Sequence, residues 1–154
     1  MMRTIFATII FVALATTHPR LVHADSFSVI VEDPWSRATI GKKRPGVAYM
    51  TIRNISATTI QLLSITTPIA KKAEIHLTTI NSQGISSMAA AGNIIIAPGK
   101  SVKLEPGGLH VMLMHLQSEM NQGQTLPLTL KFLDGSIVEV IVPILSISAR
   151  GPKK

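Results

Sequence analysis

From Phe27 onward the chain is broken into short runs of Val, Ile, Thr and Leu, and Gly, Pro, Asn or Asp closes almost every run. An amphipathic helix needs about ten or more residues of uninterrupted 3.6-residue periodicity, and such stretches are scarce in this chain. Strands need only about five residues, with β-branched side chains and turn formers at their ends. The pattern therefore predicts an all-β domain. Strands are expected at Phe27–Glu32, stopped by Asp33-Pro34, and at Gly46–Asn54, Thr59–Thr66 and Lys71–Leu77. Further strands are expected at Asn93–Ala97, Ser101–Glu105 and Leu109–Leu116. Leu126–Leu133 and Ser136–Ile144 flank Asp134-Gly135, a dipeptide suited to the positive φ of a tight hairpin turn. Residues 78–91 read as an irregular segment. About eight short strands at this spacing suggest a β-sandwich or small barrel.

The first 24 residues read differently from the rest. Arg3 opens them, Ile5–Ala15 is an almost unbroken apolar run, and Val22-His23-Ala24 offers small residues for cleavage. This is the three-part pattern of a secretory signal peptide. The 11-residue run is too short for a spanning helix, which needs about 20. The expected organisation is a signal peptide over 1–24, one β domain over 25–147 and a basic tail over 148–154, with no stable membrane insertion. A bacterial periplasm is the expected destination.

The leader takes Arg3 and Arg20 and no acid, which lowers the formal charge from +7 to +5. The remaining cations gather at Lys42-Lys43-Arg44 and in the tail, not on a helix, and aromatics make up only 4% of the chain. A nucleic-acid surface would want a basic element interleaved with stacking rings, so no nucleic-acid partner is expected.

The chain has no cysteine. That excludes disulfides, zinc–thiolate and iron–sulfur sites, cysteine nucleophiles and blue-copper centres. No Gly-rich phosphate loop, G-x-S-x-G elbow or close carboxylate pair suggests catalysis, so the chain does not read as an enzyme. Histidine and methionine are more informative. Leu109–Leu116 reads Leu-His-Val-Met-Leu-Met-His-Leu. On a strand His110, Met112 and Met114 share one face, and His115 falls on the other. Alternate Cα atoms lie about 6.6 Å apart, close enough for His110 and Met112 to reach one ion. Thioether sulfur is soft and suits Cu(I), and imidazole accepts either copper state. Met50 and Met120 have no histidine nearby in sequence and read as core packing, and a strand methionine is in general a common core filler.

His76, Met88, His110 and Met112 follow one another at intervals of 12, 22 and 2 positions. With Leu104-Glu105-Pro106-Gly107-Gly108-Leu109-His110-Val111-Met112, Asp33-Pro34-Trp35, Gly46-Val47-Ala48-Tyr49 and the closing hairpin Gly123–Val142, this pattern resembles the periplasmic copper chaperone PCuAC family. The resemblance spans the whole expected domain. It implies a cupredoxin-like β-barrel that holds one Cu(I) through His76, Met88, His110 and Met112. It further implies delivery to an acceptor, with the binuclear copper centre of cytochrome c oxidase and Sco-type proteins as the family's partners. Two features depart from the family. Leu77 follows the first histidine where many members have Met, and the tail Ser146–Lys154 lacks the His and Met of a Cu(II)-binding tail. Three rival readings remain: an adhesion or binding module without metal, a copper-dependent enzyme or electron carrier, and a copper storage or buffering protein.

Overall fold

A computed structural model describes residues 28–152 of the 154. The expected leader at 1–24, Phe27 and the last two tail residues lie outside the described residues.

Local sequence explains where the chain turns. Ten strands form, and there is no helix among the described residues. They are β1 (Val29–Arg37), β2 (Gly46–Asn54), β3 (Ile60–Thr66), β4 (Ala70–Ile80) and β5 (Ser86–Ala90), then β6 (Ile94–Ile96), β7 (Ser101–Leu104), β8 (Leu109–Leu116), β9 (Thr125–Phe132) and β10 (Ile137–Leu145). At β9–β10 the expected Asp134-Gly135 turn forms. Gly135 takes φ +86°, and Asp134 accepts from the backbone N–H and the hydroxyl of Ser136.

Two expectations need correcting. Asp33-Pro34 does not stop β1. Asp33 adopts a left-handed φ of +47°, which a short polar side chain tolerates. The pairing with β2 shifts by one residue between Glu32 and Trp35, a β-bulge, and the strand then continues. Nor is the stretch 78–91 irregular. It completes β4 and contributes β5, so the count is ten and not about eight.

The strands β4, β8, β2, β1, β10, β9 and β3 pair in that order, and the ring closes where Ile65 of β3 meets Ala73 of β4. β5, β6 and β7 attach to β4, β3 and β2 outside this seven-stranded barrel. β1 and β10 run parallel, and the other pairings are antiparallel. Period-two alternation then decides what fills the interior. Leu126, Leu128, Leu130 and Phe132 of β9, Val140, Val142 and Ile144 of β10, and Val111 and Leu113 of β8 are all buried. Met50 and Met120 join this core, in keeping with their reading as packing residues. Met120 packs so close to Gly46 that a Cβ there would meet its sulfur and force the Met120 side chain to shift.

Among the described residues two polar side chains, Ser36 and Asn54, are fully enclosed. Asn54 Nδ2 donates to the carbonyls of Thr58 (2.7 Å) and Ile96 (2.9 Å), and its Oδ1 accepts from Ser56 N and Oγ. It ties the end of β2 to β6 and to the loop before β3. Replacing Asn54 with Leu would take the amide donor from the buried Ile96 carbonyl and the Oδ1 acceptor from Ser56. The expected cost is about 1–3 kcal/mol in denaturant melts.

Candidate metal centre

The site begins at the turn between β7 and β8. Glu105-Pro106-Gly107-Gly108 closes with Gly108 N donating to Glu105 O at 3.1 Å, and Gly107 takes φ +83°. Proline at the second position and positive φ at the third make this a type II turn, and glycine fits the third position at no steric cost. The turn delivers Gly108 to the end of β4, where its carbonyl accepts from Thr78 N at 3.2 Å. That bond sets the register of β8 on β4. In this register His76 pairs with His110, Glu74 with Met112 and Lys72 with Met114.

All six side chains lie on the sheet face opposite to Val111 and Leu113, which point into the core. The His76 and His110 rings stand 6.2 Å apart between centroids, at 45° to each other. Metal–imidazole bonds are about 2 Å long, so this is a separation one ion can bridge after small rotations of the rings. Met88 comes from β5. It pairs with Thr78, and its neighbour Ala90 pairs with His76, so Met88 sits diagonally across from His76 on the same face. The structure thus brings the four sequence-selected residues onto three adjacent strands. His110 is 4% exposed and Met88 is 59% exposed. Depth varies across the site, from the buried His110 ring and the half-buried His76 to the open thioether of Met88.

Hydrogen bonding distinguishes the two histidines. His110 Nδ1 lies 3.1 Å from Gly108 O. A carbonyl only accepts, so Nδ1 carries the proton and Nε2 keeps its lone pair for a ligand. His76 has a side chain 14% exposed, and both of its ring nitrogens are buried without a hydrogen-bond partner. Its Nε2 lies 3.5 Å from Glu74 Oε2, a charge contact too long for a good hydrogen bond. Buried polar atoms are nearly always paired, so an orphaned imidazole beside a second one fits a missing electrophile. Glu74 itself is bonded to Lys72 at 2.8 Å, which holds its carboxyl below the usual range, and His76 adds to the effect.

Among the described residues no group of three or more His, Asp or Glu gathers as a metal cluster. Met112 and Met88 lie on the same face as the two imidazoles, and a donor set of imidazole and thioether suits a soft ion. Tyr49 offers no phenolate, since burial pushes its hydroxyl above the ordinary value and only Arg37 opposes this. It stacks on Trp35 at 4.5 Å under the Arg37 guanidinium, and the three form a rigid wall on this face of the sheet.

The remaining sequence candidates fall away from the pair. Met114 is half-buried on the same face, opposite Lys72, and does not sit in the core. His115 is exposed in a left-handed conformation (φ +55°), pointing away from the site at the end of β8. A cavity of about 440 Å³ between β3 and the first half of β4 contains none of the four selected residues. Sequence reasoning did not single out Glu74, although its place two residues before His76 on one strand puts both on one face. Long-range ¹H–¹⁵N NMR of the metal-free protein should find His110 protonated on Nδ1. Observation of the Nε2–H tautomer would contradict the Gly108 contact.

The family described as "Putative lipoprotein LpqE-like" matches residues 29–144. A lipoprotein-named relative from Leifsonia xyli subsp. xyli is 29% identical over 131 residues, which cover 75% of this chain and 79% of that protein. Among solved structures, CuI-DR1885 from Deinococcus radiodurans is 32% identical with a TM-score of 0.59, covering 75% of this chain and 76% of its own. The apo PCuAC domain from PmoF1 is 25% identical with a TM-score of 0.65, covering 77% of this chain and 94% of that domain. The barrel, the all-β composition and the matched span agree: the chain belongs to the LpqE-like family and has the cupredoxin-like fold of the PCuAC domains.

Proposed function

We propose that this protein is an extracytoplasmic copper chaperone that binds one Cu(I) through His76, Met88, His110 and Met112 and passes it to an acceptor protein. The observation that carries this reading is the cross-strand histidine pair. One ring has its Nε2 freed by the Gly108 carbonyl, the other has both nitrogens buried without a partner, and Met112 stands beside them. Solved structures of related chains, including a Cu(I) form of DR1885, support copper as the cargo. The lipoprotein names in the family support a location outside the cytoplasm, with 1–24 as leader and 25–147 as the working domain.

The chemistry follows from ligand type. Two neutral imidazoles and two neutral thioethers leave the charge of Cu(I) unbalanced but satisfy its preference for soft, low-coordinate surroundings. Cu(II) gains less from sulfur, so oxidation favours release. Protons compete for the same imidazole nitrogens, so acidification weakens binding. The exposed Met88 is the ligand an acceptor can displace first, while the buried histidines keep the ion from diffusing away. Such stepwise ligand exchange is what a carrier needs. It requires no catalytic group, and the protein is read as a non-enzyme. The acceptor that best fits the family resemblance is the binuclear copper centre of cytochrome c oxidase, with a Sco-type protein as a second partner.

Cu(I) titration against a competing chelator should find one tight site in the purified protein. His110→Ala or Met112→Ala should weaken it by at least about 100-fold, more than the loss of an outer-shell partner commonly costs. Met50→Leu, in the core, should leave affinity unchanged. Equal affinity across the three variants would overturn the site. Mixing the loaded protein with the apo copper domain of the oxidase should move the metal to the acceptor. A metal that stays put would make storage or buffering the better function.

A further inference from the structure

Among the described residues β5 is an edge strand without the usual protection. Natural sheets blunt their edges with charge, proline, bulges or very short strands, because an open edge pairs with whatever strand it meets. The other added strands follow this rule. β6 has three residues and leads into Ala97-Pro98, and β7 carries Lys103 and follows Lys100. β5 reads Ser-Ser-Met-Ala-Ala, is exposed at all five positions, and carries neither charge nor proline. No Asp, Glu, Lys or Arg occurs anywhere between Glu74 and Lys100, in a chain whose formal charge is +7. Two copies of so basic a protein repel, and this hairpin is where they can approach without opposing charges.

The ladder shows which backbone groups face away from β4. Asn81 N donates to Ile85 O and Ala91 N to Ile75 O. Within the register Leu77–Ala89 and Thr79–Ser87, these bonds turn the odd-numbered residues of β5 toward β4. The N–H and C=O of Ser86, Met88 and Ala90 therefore point outward. This set is self-complementary about its middle residue. Antiparallel pairing with a second copy sets Met88 against Met88 and Ser86 against Ala90 in both directions.

We propose that β5 is a self-association edge, and that two copies of this chain join antiparallel about Met88 through the outward groups of residues 86, 88 and 90. The exposed apolar residues Ile80 and Ile85 at the hairpin tip, and Met88 itself, lose water on contact. In a hydrogen-bonded antiparallel pair the two Met88 Cα atoms stand about 5.5 Å apart, with both side chains on the face that bears His76 and His110. Each copy then brings a second thioether onto the sheet face that carries the other's His76, two strands away. The inference goes beyond the proposed function, and the interface does not depend on copper binding.

Sedimentation velocity of the metal-free chain, from micromolar to near-millimolar concentration, tests the interface. The wild type should show a monomer–dimer equilibrium. Ala90→Pro removes an N–H that faces away from β4 and two of the six symmetric bonds, so it should weaken dimerisation by roughly tenfold or more. Its affinity for Cu(I), read separately by chelator competition, should not change. A wild type that stays monomeric throughout would overturn the proposal, as would a dimer indifferent to Ala90→Pro. A second readout avoids any folding defect of the proline variant. The chain has no cysteine, so a nitroxide on Met88→Cys reports on that position alone. Intermolecular dipolar broadening at 88, absent from a label on Ile141→Cys, supports the interface, and no broadening at 88 overturns it.

Discussion

Side chains on neighbouring strands meet only if the strands agree on register, and β4 and β8 hold one register from Ala70–Leu116 to Leu77–Leu109. A slip of one residue would swing His76 or His110 to the core face and expose Ile75 or Val111 in its place. The hydrophobic side chains of the interior therefore fix which face of the sheet carries the histidines. The Gly108 carbonyl secures the same register at the open end, bonding to Thr78 N and accepting from His110 Nδ1. One carbonyl thus aligns the two strands and leaves the lone pair of His110 on Nε2.

Rigidity is unevenly distributed around that pair. His76 and His110 rest on a barrel wall whose interior residues are almost fully enclosed, and the Trp35–Tyr49–Arg37 stack braces the same sheet face. Met88 stands on a strand attached to the barrel only through β4. A cargo site benefits from this asymmetry. In the proposed carrier the imidazoles on the barrel wall would define where the ion sits, and the peripheral thioether would yield to an incoming ligand without disturbing the core. The same peripheral strand offers its outer backbone groups to a partner, so exchange and association would occur at one edge.

Much of this was legible in the sequence because strand physics is local. β2 and β8 match their expected limits, since alternation and turn residues define both. His110 and Met112 share a face by the same period of two. β5 was missed because Ser-Ser-Met-Ala-Ala has neither alternation nor strong strand propensity, and its conformation is imposed by pairing with β4. A signal was present nonetheless in Asn81-Ser82-Gln83-Gly84. Asn81 Oδ1 accepts from Gln83 N and Ile85 N, and Gly84 takes φ +77°, as in a three-residue hairpin loop. The bulge at Asp33 was hidden for another reason. Asp-Pro ends a strand in most settings, and only the closure of the barrel holds both halves of β1 against β2.

By itself the sequence determined the all-β class, the core-facing parity of most strands and a soft donor set of imidazole and thioether without thiolate. These follow from side-chain chemistry and from periods of two residues, which need no knowledge of distant neighbours. The tertiary structure alone decided that His76 faces His110, that Glu74 bridges Lys72 and His76, and that Met88 rides on an open edge. Those facts depend on which strands are neighbours and in what register. Closing a barrel settles both at once through contacts between residues far apart in the chain.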